Sequence, residues 1–163
     1  MSNRIDPLAE DPSALVRAAR RALVVFEDRD EAGWRSWLRP GFRHCFCILG
    51  DGELWTIVDP LLTRIEVVLC RAAAEADLIS HLGTTGRLVL AGPIVGQSRA
   101  RPQLPRPLTC VEVVKRMLNL DAPGVLTPWQ LQRRLRQTHG FRAYGRDDAA
   151  DSTPDNRLAY GKK

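Results

Sequence analysis

Two apolar runs joined by Gly50-Asp51-Gly52 constrain this chain more than any other feature. Phe42 to Leu49 and Glu53 to Asp59 are strand-like, and an Asp-Gly step between such runs marks a tight hairpin. With Asp51 and Gly52 as the loop, Leu49 faces Leu54, Phe46 faces Ile57 and His44 faces Asp59; a four-residue loop from Gly50 to Glu53 gives the same pairing. Directly opposed residues stand about 4.5–5.5 Å apart at Cβ on one face. A carboxylate at that spacing can accept an imidazole N–H, so the hairpin brings a base and its orienting group to one end. The structural alternative is a hydrogen-bonded core histidine beside an Asp59-Pro60 strand stop.

The rest of the chain reads as one α+β domain. Asp11-Pro12 opens a helix, with Asp at the N-cap and Pro at the first helical position. Ala22 to Glu27 is a short apolar strand, Glu31 to Leu38 a brief helix carrying Trp34 and Trp37, and Thr63 to Leu69 a third strand with one wetter face. Ala72 to Leu82 is rich in helix formers, and Arg87 to Val95 is a strand whose Gly92-Pro93 marks an edge or a bulge. Helices from Thr109 to about Asn119 and from Thr127 to about Thr138 follow a proline-stiffened stretch. This order predicts a mostly antiparallel sheet with packed helices. Residues 1–10 are expected to form a flexible arm, 11–139 the domain and 140–163 a disordered tail. At 163 residues, 44% hydrophobic and 26% charged, the composition fits one globular domain and excludes a disordered chain.

Four cysteines are present, Cys45, Cys47, Cys70 and Cys110, and the polar start Met1 to Pro7 lacks the apolar core of a secretory signal. The expectation is reduced thiols in a cytoplasmic setting, and no membrane span, since no apolar run reaches about 18 residues. Thr109-Cys110-Val111-Glu112 fits a Thr-x-x-Glu capping box and places Cys110 at the first helical position. Unpaired backbone N–H groups there favour an anion, lower a thiol's pKa and face the oxygen of a tetrahedral intermediate. Of the three histidines, His139 borders the tail and His81 ends a helix, leaving His44 as the base for Cys110, with Asp59 as its orienter. No cofactor motif is present. A metal site from His44, Cys45 and Cys47 is disfavoured because His44 points away from the strand face the cysteines share, so Cys45 and Cys47 read as apolar fillers.

A histidine strand, a polar residue on the next strand and a downstream cysteine opening a helix resemble the circularly permuted branch of the NlpC/P60 papain-like superfamily. The matching stretches are Gly41 to Phe46, Trp55 to Pro60 and Leu108 to Lys115, within roughly residues 22–120. The chain is also similar to small proteins of prophage-like gene clusters. The resemblance implies a papain-like arrangement and a cysteine hydrolase (peptidase or amidase), with Cys110 as nucleophile, His44 as base and Asp59 as the third residue. It implies a peptide, amide or acyl substrate, cell-wall peptide among them. The alternative is a non-catalytic structural or adaptor protein of a phage-like particle, which would be virion-associated.

The net charge of +5 is concentrated between Arg99 and Arg136, where eight basic residues meet only Glu112 and Asp121. A solvated arginine-rich face accounts for it better than nucleic-acid binding, because no aromatic interleaving or binding motif accompanies the charge. Trp129 and Leu131 to Leu135 read as a helix stripe covering the core.

Overall fold

The computed structural model describes residues 21–29, 37–52, 54–71, 74–94, 107–138 and 140–145. The expected N-terminal arm, the helix at 11–20, most of the brief helix with Trp34, the proline-stiffened stretch, His139 and the chain beyond 145 lie outside them. Six strands form one antiparallel sheet in the order β4-β3-β2-β1-β5-β6, with β1 Arg21–Glu27, β2 His44–Gly50, β3 Leu54–Pro60, β4 Ile65–Arg71, β5 Leu88–Pro93 and β6 Arg142–Gly145. Three helices accompany it among the described residues: α1 Glu75–Thr84, α2 Cys110–Met117 and α3 Pro128–Thr138. The molecule is α+β, as the element pattern predicts.

Strand β1 explains why its sequence is a run rather than an alternation. It lies between β2 and β5, and both of its faces are covered. Ala22, Val24 and Phe26 face one core with Cys45, Cys47, Leu88 and Leu90, closed by Val111, Val114 and Leu118 of α2 and its end and by Leu131 and Leu135 of α3. Leu23 and Val25 face the other, with Phe46, Ile48, Trp55 and Val89, under Leu82, Leu78 and Ile79 of α1. The leucine stripe of α3 is thus core. Helix α3 starts with a reciprocal cap: Thr127 Oγ1 accepts from Gln130 N, and Gln130 Oε1 accepts from Thr127 N.

The hairpin register differs from expectation by two residues. Gly50 pairs with Trp55, Leu49 with Thr56 and Cys47 with Val58, so the loop is residues 51–54, closed by Leu54 N donating to Asp51 Oδ1 at 3.1 Å. The fully buried Trp55 ring decides this, because it lies over Gly50, where an added Cβ would stand 2.5 Å from it. A slip of two preserves every side chain's face. His44 and Asp59 therefore stay on one face, as diagonal neighbours rather than opposed residues.

Three further expectations are corrected. Strand β5 is interior, not an edge: Gly92 is small because the Phe141 ring packs on it, and Pro93 is tolerated as the strand's last residue. Residues 142–145, assigned to a disordered tail, form β6 along β5, with Ala143 opposite Leu90. Strand β4 begins at Ile65 and has no dry face; Val67, Val68 and Leu69 are all exposed at the sheet's edge.

Candidate functional site

The site lies where β2 and β3 part. Their ladder runs only from Cys47–Val58 to Gly50–Trp55, while Asp59 and Pro60 pair with β4 instead, with Glu66 and Ile65. Across the fork, His44 Nε2 donates to Asp59 Oδ1 at 2.7 Å. His44 is 1% exposed and Asp59 is buried.

The segment before β2 fixes where His44 starts. Gly41 takes a left-handed φ of 84°, and its N–H donates to Asp28 Oδ1 at 2.6 Å. Phe42 then packs between Phe26 (ring centroids 5.7 Å apart) and Trp129 (4.9 Å), and the Arg39 guanidinium lies over the Trp129 ring, 3.6 Å from its centroid. Trp37, in contrast, is 68% exposed, so it is not a core residue.

Helix α2 begins at Cys110. Thr109 caps it by accepting from Glu112 N at 3.2 Å. Only half of the expected capping box forms: Glu112 turns along the helix to Lys115 (2.8 Å) and Arg116 (3.3 Å), while Thr109 N donates to Pro107 O. Lys115 is buried and also donates to Ala122 O and Val125 O, both at 3.1 Å, which ties α2 to the turn before α3. The backbone N–H groups of Cys110 and Val111 have no intrahelical acceptor at these positions.

Cys110, His44 and Cys45 converge. Cys110 packs against the core cluster that contains Cys45, and its thiol is held down to about 4, first by a hydrogen bond from the Cys45 thiol. Burial opposes this, and hydrogen bonding and charge from His44 and the Cys45 backbone N–H reinforce it. His44 moves the other way, up to about 9: burial pulls it down, but the bond to Asp59 and the Cys110 thiolate prevail. Asp59 lies below its ordinary range, because His44 and Arg29 outweigh its burial. Near neutral pH the pair is therefore thiolate and imidazolium. Successive strand residues point to opposite faces, so Cys110 reaches both residues 44 and 45 only because β2 begins here.

A chain of charges backs the histidine. Asp59 Oδ2 accepts from Arg29 Nη2 at 2.7 Å, Arg29 Nε lies 3.0 Å from Glu27 Oε1, and Arg87 Nε donates to Glu27 Oε2 at 2.6 Å. Glu27 sits directly opposite His44 in the β1–β2 register. Among the described residues, His44 Nδ1 has no hydrogen-bond partner of regular geometry, which leaves that ring nitrogen to the thiolate.

The structure thus brings together the three residues singled out in the sequence, Cys110, His44 and Asp59. Sequence reasoning missed Arg29 and Glu27, whose only signal is a charged turn after β1, and treated Cys45 as filler although its thiol touches Cys110. His81 is exposed at the end of α1, the helix that packs on the other core. Among the described residues no cluster of three or more His, Cys, Asp or Glu is arranged to hold a metal ion. No helix among them is long and apolar enough to cross a membrane. Compared with family models, curated proteins and solved structures, the chain matches none.

The ion pair has a sign-definite effect on stability. Unfolded, the thiol titrates near 9.0 and the imidazole near 6.5; folded, they titrate near 4 and 9. Between pH 4 and 6.5 the unfolded chain holds one more proton at this pair, so stability rises with pH, with a ceiling of about 1.4 kcal/mol per pH unit. From 6.5 to 9 the folded imidazolium balances the unfolded thiol and the pair contributes no slope. Denaturant unfolding from pH 4.5 to 8.5 should rise and then level near 6.5, and Cys110→Ala should lose that rise. A parallel profile in the variant would refute the ion pair.

Proposed function

We infer that the protein is a cysteine hydrolase acting on a peptide, amide or acyl bond, with Cys110 as nucleophile, His44 as proton carrier and Asp59 as its orienter. The observation that carries this reading is the Cys110 thiolate beside the buried His44–Asp59 pair at a helix start. The thiolate attacks the carbonyl carbon, and the oxygen gains negative charge near the Cys110 and Val111 N–H groups, which the helix itself leaves without an acceptor. His44, already protonated, gives its proton to the leaving group, and the thioester forms as that bond breaks. The neutral imidazole then takes a proton from water, whose oxygen attacks the thioester and frees the thiolate, restoring the ion pair. Asp59 fixes the ring and stabilises the imidazolium, and Arg29, itself paired with Glu27, holds Asp59.

The papain-like arrangement of the permuted NlpC/P60 branch belongs to this same reading, supported by the order histidine strand, acidic strand, cysteine helix. An activated ester such as p-nitrophenyl acetate tests it. Brief incubation followed by acid quench and peptide mapping should place the acetyl group on Cys110. Acetyl spread over the four cysteines, or absent, would count against hydrolysis.

A second reading, a structural or adaptor component of a phage-like particle, draws on β4. Val67, Val68 and Leu69 leave an apolar edge strand open, the kind of edge other chains pair with. On that reading the same ester leaves no acyl group on Cys110.

A further inference from the structure

We propose that Cys110 and Cys45 form a hydroperoxide-reactive pair, in which Cys110 is oxidised and Cys45 resolves it into an intramolecular disulfide. The proposal needs the thiolate but not hydrolysis, so it goes beyond the function proposed above. It rests first on placement. Helix α2 lies directly on β2, and Cys110 opens that helix against the cluster containing Cys45. Of the influences that hold the Cys110 thiol ionised, hydrogen bonding from the Cys45 side chain is the largest, in keeping with that packing. Neither of the other thiols is so placed. Cys47 lies two residues further along β2, its sulfur 4.0 Å from Val58 O, and Cys70 packs with the cluster on the opposite face of the sheet.

The chemistry follows from exposure and charge. Cys110 is partly accessible and ionised, which makes it the thiol a peroxide finds, while Cys45 is fully buried and protonated, which keeps it reduced until Cys110 reacts. The Cys110 thiolate attacks the distal oxygen of a hydroperoxide and the O–O bond breaks. The alkoxide or hydroxide leaves with the proton of His44, and the sulfur becomes a sulfenic acid, oxidised by two electrons as the peroxide is reduced. Cys45 is held protonated first by burial, then by the neighbouring thiolate; oxidation removes that negative charge. The Cys45 sulfur then displaces the sulfenic oxygen, its proton departs with that oxygen as water, and the S–S bond forms. An external dithiol reverses the step by exchange and is itself oxidised. Closing the bond requires the sulfurs to come within about 2.05 Å of each other, a shift the first turn of α2 must absorb.

Hydrogen peroxide added to the full chain, followed by alkylation and non-reducing peptide mapping, tests this. The expected result is a monomer with a Cys45–Cys110 cross-link, its free-thiol count lowered from four by two and restored by dithiothreitol. In Cys45→Ser the cross-link should vanish and Cys110 should instead be trapped by dimedone, then pass to the sulfinic acid as peroxide rises. Cys45→Ala serves if the serine variant does not fold. A cross-link to Cys47 or Cys70, a cross-link between chains, or sulfinic acid without a disulfide in the unaltered protein would overturn the pair. If Cys110 takes an acetyl group from the ester yet never links to Cys45, the pair fails and the hydrolase reading stands. A Cys45–Cys110 cross-link with no acetyl transfer has the opposite meaning.

Discussion

Cys110→Ala is expected to abolish acyl transfer from p-nitrophenyl acetate, lowering kcat/KM by at least ~10^4 while leaving the fold intact. The size of the effect follows from the role: no other thiol can replace the sulfur, because Cys45 is held protonated well above neutrality and Cys47 is pushed up to about 12, both chiefly by burial, while Cys70 packs on the opposite face of the sheet. The fold should persist because Cys110 is at the edge of its cluster rather than among its fully buried members. Alkylation by iodoacetamide gives an independent reading. A thiol near 4 stays ionised down to about pH 5, so its rate should be flat from pH 5 to 8 and fall below about 4. Ionisation raises its reactivity over an ordinary thiol at pH 5, and the lower intrinsic nucleophilicity of a low-pKa sulfur returns part of that advantage. A net gain of roughly tenfold over a model thiol is expected there. A rate that climbs tenfold per pH unit through 7 would mean that the thiol is not ionised, and the catalytic reading would fall with it.

Replacing His44 is expected to have the second largest effect. His44→Gln should lower kcat/KM by about 10^3, within the range that a general acid–base contributes. It should also shift the alkylation profile of Cys110 to higher pH, since one of the groups that hold the thiolate is gone, although Cys45, the larger influence, remains. Glutamine keeps most of the volume and a donor toward Asp59, and Asp59 keeps Arg29, so no buried carboxylate is orphaned. Asp59→Asn should act more gently, about 10-fold on kcat with KM little changed, because an amide can still hold the ring but no longer stabilises its charge. The pH at which His44 releases its proton should then fall from about 9, and the basic limb of the rate profile should move down with it. An unchanged basic limb in Asp59→Asn would remove Asp59 from the site. Wild-type alkylation behaviour in His44→Gln would sever His44 from the thiolate.

These residues draw on two kinds of information in the chain, local and long-range. The helix start at Cys110 is legible because capping is local: Thr109 and the next three residues suffice to place it, and the structure departs only in where the Glu112 side chain goes. The hairpin is legible because alternation and Asp-Gly chemistry are also local. Its register is not, since the Trp55 ring on Gly50 overrides the loop arithmetic. The His44–Asp59 contact survives that error because a slip of two keeps both side chains on one face, and a 2.7 Å bond can span the diagonal. Strand β6 is invisible in the chain because four polar-leaning residues become a strand only when β5 offers them a partner. Cys45 is hidden for a related reason: a buried thiol reads the same in a sequence whether its neighbour is a methyl group or a thiolate.

By itself, the order of residues determined the α+β class, the hairpin, the capped helix and the identity of the sulfur, the imidazole and the carboxylate, all properties set within a few neighbours along the chain. Only the tertiary structure decided that β2 and β3 diverge at His44, that α2 lays its first residue on that fork, and that Arg29, Glu27 and Cys45 complete the surroundings. Those contacts join segments tens of residues apart, and packing of two cores on a shared central strand, rather than any local preference, brings them within reach.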